Sequence, residues 1–466
     1  MERRKNTEGI ISPARVAAKM ERMGTATDTP TGQQGAFQRF FHSEASGSIL
    51  LLLFTAIALA WANSPWAASY EHMLHAPLGF TLGPWSFSMS AAHWVNDGLM
   101  AIFFFVVGLE IKRELSVGQL STFRSALLPV AAALGGLAVP AIIYATLNMG
   151  TPGERGWGVP MATDIAFALG VLALVGPRVP VGLKVFLTAL AIADDLGAVL
   201  VIAVFYTDRV SLLALGTEAG LLLLLFLAVR YTARWYSLYV VLAIAAWAAM
   251  LASGVHATVA GILVALTIPV RARIEPTQFL DAVRAGLARL QRDELTRDSM
   301  VRDREQMAAI EGLGTATLDF LPAGFSLERY LHPVTAFLIL PVFALFNAGV
   351  RLDGRIQEAL LQPVSLGIVL GLFFGKQVGI TVTSWVAVKT GQAELPAGVT
   401  MAQLYGASIL GGIGFTMSIF VAGLAFPDGP LLAAAKLGIL AASAISGVIG
   451  FVVLKAILAR APTPAP

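Results

Sequence analysis

Runs of about 20 apolar residues, the length at which an α-helix crosses a bilayer, recur along this chain from residue 47 to residue 458. They fall near 47–63, 92–112, 125–147, 157–176, 182–206, 210–229, 233–252, 255–270, 333–350, 363–388, 400–425 and 430–458. A soluble core cannot absorb twelve such runs. The chain is 56% hydrophobic and only 13% charged, against about 25% charged in soluble domains, and its mean hydropathy is +0.74. It needs lipid as a second apolar solvent. Strands of a membrane barrel would read as alternating segments of about 10 residues; no such alternation is expected here, and the fold is expected to be all-α and polytopic.

A sequence pI near 9.1 invites a nucleic-acid reading, but the net charge is only +3 and the basic residues lie between apolar runs. They read as membrane topology. Counted with a cytoplasmic N-terminus, the external loops hold only Arg155, Arg209, Arg351 and Arg355, which places both termini inside by the positive-inside rule. The short loops agree, with Lys112, Arg113 and Arg124 inside and no Lys or Arg between 64 and 91. Cysteine is absent, so disulfides and thiolate chemistry are excluded. The expected organisation is a polar cytoplasmic tail over 1–45 without a signal-peptide core, one transmembrane domain over 46–460 and a short tail over 461–466. Within the domain a long cytoplasmic loop spans 271–331, with a solvated helix over 279–306.

Two runs look interrupted. The fourth, "WGVPMATDIAFALGVLALVG", gathers Pro160, Thr163 and Asp164 near its middle, and the eleventh, "YGASILGGIGFTMSIFVAGLAF", places Gly411, Gly412 and Gly414 just before Thr416. Glycine alone can serve close helix packing. Here the two breaks occupy corresponding positions if runs 3–5 and 10–12 are two repeats. Paired interruptions of that kind point to a transporter site near the bilayer midplane. A broken helix aims its dipole ends and free carbonyls into a cavity.

Charge inside the membrane is the second signal. Four ionisable residues lie deep within runs: Asp164, Asp194, Asp195 and Lys376. Each costs roughly 2.5–3.5 kcal/mol on the insertion scale, so three carboxylates against one lysine need a purpose. Adjacent aspartates project about 100° apart on a helix. One of the pair can therefore meet Lys376 while the other faces a water-filled cavity. The uncompensated negative charge calls for a mobile cation or protons, and hard oxygen donors suit sodium or lithium. Lys376 follows Gly367, Gly371 and Gly375, with Gly379 after it, a stripe that lets a neighbouring backbone approach closely.

"WVNDGLMAIFFFVVGLEIKREL" (94–115), "MATDIAFALG" (161–170), "LAIADDLGA" (190–198), "GVHATVAG" (254–261), "FNAGV" (346–350) and "GIGFTMSIF" (412–420) closely resemble the NhaA sodium/proton antiporters over about 40–458. That family is itself among the cases behind the paired-break rule, so rule and resemblance count as one observation. The resemblance implies twelve helices in inverted repeats with crossed breaks, in a bacterial inner membrane and frequently as homodimers. It implies electrogenic, pH-regulated exchange of internal Na+ or Li+ for external protons, without a cofactor and without enzymatic chemistry. By the same resemblance Asp195 is the principal cation ligand, and Asp194 its neighbour paired with Lys376. Thr163 and Asp164 are the polar pair at the fourth-helix break and count with Asp194 and Asp195 as cation- or proton-binding residues. Asp97 influences transport, while Glu110, Glu114, His256 and Glu328 belong to the cytoplasmic funnel or pH response. Read from the residues alone, Glu110 and Glu114 could equally pair with Lys112 or Arg113, His256 could be a packing residue and Asp97 a helix-start residue. The family often has proline after the lysine where Gln377 stands here, and basic residues where Phe325 and Ser326 stand.

Two other classes of membrane protein place carboxylates or sodium sites among helices. An intramembrane aspartyl protease needs Tyr-Asp and Gly-x-Gly-Asp motifs, and neither occurs. A sodium-coupled solute symporter on the same scaffold remains an alternative, distinguishable because an antiporter moves protons against sodium with no organic substrate.

Overall fold

The computed structural model describes residues 44–82, 85–207, 210–231, 235–290, 303–352, 356–427 and 429–460. The expected 1–45 tail lies almost wholly outside them, as do the 461–466 tail and the 291–302 part of the anticipated long helix. In chain order the helices are α1 Glu44–Ala62, α2 Ala67–His75, α3 Ala91–Val117, α4 Phe123–Asn148, then the 3₁₀ segment α5 Glu154–Met161, α6 Ile165–Val175 and α7 Val181–Phe205. They continue with α8 Leu212–Tyr231, α9 Tyr236–Ser253, α10 Thr258–Thr267, α11 Pro276–Leu290 and α12 Arg304–Phe320. The last six are α13 Ala323–Asn347, α14 Ile356–Leu361, α15 Pro363–Lys389, α16 Met401–Leu410, α17 Phe415–Ala425 and α18 Pro430–Arg460.

Among the described residues nine helices are long and apolar enough to cross a membrane, or up to eleven if each of two bent pairs counts as one span. The protein is thus mostly helical and polytopic. The twelve apolar runs all hold helix, but the eighth holds only the ten residues of α10, about 15 Å at 1.5 Å per residue. The shortening has a local cause. Gly254 adopts φ +85°, closing α9, and Pro269 lacks the N–H that would continue α10.

Three other expectations need correction. The fold is not purely helical, because β1 (Pro77–Leu82) and β2 (Trp85–Ser90) form an antiparallel hairpin with Leu78 opposite Met89. "WSFSMS" does alternate with period two, the strand signature, in a segment too short to register beside the apolar runs. The ninth run starts ten residues early, at Ala323. Glu328 and Arg329 hide that turn from hydropathy, yet Arg113 neutralises Glu328 there. Among its described residues the loop after α10 holds two helices where one was expected over 279–306. α11 and α12 pack on each other through the stacked rings of Phe279 and Phe320, 4.4 Å apart.

The glycine stripe does pack against backbone. A Cβ on Gly375 would sit 2.9 Å from the Pro140 Cα, and one on Gly379 would overlap the Gly135 carbonyl, so α15 lies directly on α4. The approach brings Lys376 to the centre of the molecule. Its amide N–H reaches back five residues to the Gly371 carbonyl, a single π turn of the kind that often marks functional sites.

Candidate ion-binding site

The two breaks meet. Residues 162–164 lie outside helix between α5 and α6, and α16 and α17 diverge by 49° across 411–414. The Asp164 amide donates to the Ile413 carbonyl at 2.7 Å. The Thr163 hydroxyl lies 2.9 Å from the Gly411 carbonyl, and the Ser418 hydroxyl donates to the Val159 carbonyl at 2.9 Å. Backbone groups that lipid could not satisfy are thereby satisfied by the other break.

Each of the three aspartates meets a different environment. Asp164 caps α6: its Oδ1 accepts from the Phe167 amide at 2.9 Å. Its Oδ2 accepts from the Thr416 amide at 3.1 Å and the Thr416 hydroxyl at 2.5 Å. Both oxygens are occupied, and the positive ends of α6 and α17 converge on this one carboxylate. Asp194 is fully buried with Lys376, whose Nζ lies 2.5 Å from Oδ2. The same Oδ2 is 2.8 Å from the Thr163 hydroxyl, so the single hydroxyl proton is shared between Asp194 and the Gly411 carbonyl. Asp195 is 1% exposed and neither of its oxygens has a hydrogen-bond partner.

A cavity of about 370 Å³ runs to this carboxylate, lined by Asp195, Asp164, Thr416, Glu110, Ser48 and Thr335 among others. A buried charge without partner costs several kcal/mol, a cost that a proton or a cation entering by the cavity would remove. No group of three His, Cys, Asp or Glu side chains is close enough to hold a metal among the described residues. A cation here would complete its shell with hydroxyl, carbonyl or water oxygens, as weakly held alkali ions do.

A second cluster forms on Arg113. Its guanidinium lies 3.1 Å from Glu328, 3.4 Å from Glu114 and 4.0 Å from Glu110. Glu114 also accepts from the Gln119 amide at 2.8 Å. Glu110 belongs both to this cluster and to the cavity lining. The expected peripheral residues thus split. Glu110, Glu114 and Glu328 come together, whereas Asp97 and His256 are not part of that cluster. Asp97 sits in a π turn of α3, Trp94–Leu99, where its carbonyl accepts from the Trp247 indole at 2.9 Å. His256 Nε2 lies 3.0 Å from the Tyr206 carbonyl. Ser48 and Thr335 of the cavity carry no sequence signal, since isolated hydroxyls in apolar helices are common. Gln377, at the position where proline was noted, accepts from the Tyr405 hydroxyl at 3.2 Å.

Polar breaks that meet, a buried lysine–aspartate pair and an unpartnered aspartate facing a cavity are what a polytopic membrane cation transporter would need. The comparisons narrow that class. Residues 38–454 match the family described as Na+/H+ antiporter 1. The chain is 47% identical over 417 residues to "Na(+)/H(+) antiporter NhaA 1" of Saccharophagus degradans, covering 89% of this chain and 90% of the relative. It is also 47% identical over 426 residues to "Na(+)/H(+) antiporter NhaA" of Oleidesulfovibrio alaskensis, with 91% and 94% covered, and 45% identical to the protein of that name from Sulfurimonas denitrificans, with 90% and 95% covered. The chain belongs to the NhaA Na+/H+ antiporter family. It is a transporter and not an enzyme, and its ions are substrates that require no cofactor.

Proposed function

We propose that this chain exchanges internal Na+ or Li+ for external protons electrogenically, with Asp195 as the group that cation and protons occupy in turn. The single observation that carries the reading is the contrast inside the aspartate pair. Lys376 neutralises Asp194, while Asp195 has no partner and faces the cavity. Asp164, expected among the cation- or proton-binding residues, mainly joins the two breaks in this reading, since its oxygens already accept three hydrogen bonds. Thr163 supplies a hydroxyl that can follow either Asp194 or Gly411.

In this reading the fold is twelve spans in inverted repeats with both termini cytoplasmic, a single transporter domain over 46–460, seated in the bacterial inner membrane and working as a homodimer. If more protons enter than sodium ions leave, each cycle moves positive charge inward, and an inside-negative potential drives it by about 2.3 kcal/mol per charge per 100 mV. Such exchange would acidify the cytoplasm if unchecked, which makes slowing at acidic pH physically reasonable. The Glu110–Arg113–Glu114–Glu328 cluster at the cavity is where a pH response would be built.

The test is purified protein in proteoliposomes with an imposed pH gradient. Addition of sodium or lithium alone should collapse the gradient, faster when the potential favours inward positive charge. A gradient that collapses only when an organic solute accompanies sodium would replace antiport with symport.

A further inference from the structure

The outer half of the broken fourth span is held in an unusual way. α5 is a 3₁₀ segment of eight residues, long for a helix type that rarely exceeds 3–4 residues because its hydrogen bonds are poorly aligned. Such a segment does not hold its own shape. Two buried tyrosines hold it. The Tyr206 hydroxyl donates to the Arg155 carbonyl at 2.8 Å and accepts from the Gly158 amide at 3.1 Å. The Tyr144 hydroxyl donates to the Gly153 carbonyl at 2.7 Å. Glycine at 158 is what admits the phenol, since a Cβ there would lie 2.8 Å from the Tyr206 oxygen.

Tyr206 is also the residue that closes α7, the helix bearing Asp194 and Asp195. It therefore ties the end of the aspartate helix to the segment that ends at Met161, two residues before Thr163. We infer that Tyr206, supported by Tyr144, is a positioning residue for ion binding: its hydroxyl fixes α5 so that Thr163 stays within hydrogen-bond reach of Asp194. The inference rests on sodium exchange through the Asp194–Asp195 site. A failure of that site and a failure of this inference are distinguishable, because the former abolishes exchange and the latter leaves the sodium dependence unchanged.

The chemistry requires a hydroxyl and not merely a ring. Phenylalanine at 206 keeps the packing against Trp157, ring centroids 6.3 Å apart, but removes the hydroxyl's bonds to the Gly158 amide and the Arg155 carbonyl. Phe205 supplies the control. It stacks edge-on against the same Trp157 at 5.1 Å and makes no side-chain hydrogen bond.

The experiment compares Tyr206→Phe, Tyr144→Phe and Phe205→Leu with the unaltered protein in proteoliposomes. Sodium dependence is measured at fixed pH, and deuterium exchange is measured on peptides covering 155–161. Tyr206→Phe should raise the apparent sodium constant about tenfold, the order expected for loss of a positioning hydrogen bond. It should keep most of the rate at saturating sodium and speed exchange in 155–161. Phe205→Leu should lower thermal stability without moving the sodium constant. Tyr206→Phe with an unchanged sodium constant would overturn the inference, as would an equal rise in Phe205→Leu. Should Tyr206→Phe fail to accumulate, Tyr144→Phe decides in the same way: a raised constant with faster 155–161 exchange supports the inference, and an unchanged constant overturns it.

Discussion

Among the described residues two groups of three carboxylates each lie beside one basic side chain, and they are solved in opposite ways. At the centre, Lys376 gives its charge to Asp194 alone, Asp164 is satisfied by helix ends, and Asp195 is left bare. At the cavity's other group, the planar fork of Arg113 spreads over Glu110, Glu114 and Glu328 at 3.1 to 4.0 Å, with the arginine side chain about one-third exposed. A lysine is a point charge that can commit to one partner, whereas arginine presents a rigid fork that can share. The difference teaches that stoichiometry of charge does not make an ion site. Unequal distribution does, because it concentrates the whole deficit on one buried group, while water and sharing blunt the deficit around Arg113.

The strongest way to break this comparison is to remove the bare carboxylate. Asp195→Asn should abolish sodium-driven proton movement in proteoliposomes while the protein stays folded by size-exclusion and thermal unfolding. Normal exchange by this variant would return Asp195 to a packing role.

Removing the committed cation tests the other half of the central arrangement. Lys376→Ala strands Asp194 in the interior, and breaking a buried pair from one side typically costs about 3–5 kcal/mol. The variant should melt well below the unaltered protein and below Asp195→Asn. Equal midpoints for Lys376→Ala and the unaltered protein would mean that the pair contributes nothing.

Acidity distinguishes which group controls the rate. If protons simply compete with sodium at the central aspartates, the apparent sodium constant rises about tenfold per pH unit lost for each competing proton, by mass action. Saturating sodium then restores most of the maximal rate. If the Arg113 group governs instead, the maximal rate itself falls with pH at any sodium level. We expect competition to be the larger effect, because Phe325 and Ser326 stand where basic residues would flank the Glu328 motif. Transport measured against sodium at several pH values under clamped potential decides; a collapsing maximal rate at constant sodium constant would reverse the expectation.

The smallest effect should come from the shared group. Glu328→Gln loses one of three partners of a partly exposed arginine, an interaction worth about 0.2–1 kcal/mol. Stability should barely change. A loss as large as that of Lys376→Ala would show that the Arg113 group is as unforgiving as the centre.

Much of the candidate site was legible in the sequence. Asp164, Asp194, Asp195 and Lys376 announce themselves because charge is rare in apolar runs, and the breaks at 162–164 and 411–414 because Pro, Thr and clustered Gly interrupt otherwise continuous helix. Less visible was the start of α13 at Ala323, since Glu328 looks solvated until Arg113, more than two hundred residues earlier, is brought beside it. The β1–β2 hairpin and the Tyr206 anchor were not anticipated at all. A tyrosine at a helix end is ordinary in sequence, and only its meeting with Arg155 and Gly158 makes it more than that.

The sequence by itself determined the solvent, the helical class and the cost of burying Asp164, Asp194, Asp195 and Lys376, because hydropathy and ionisation are properties of single residues. Which aspartate would be neutralised was decided by the tertiary structure. The two neighbours are chemically identical, and only the approach of α15 to α4 on its glycine stripe aims Lys376 at Asp194 and leaves Asp195 open to the cavity.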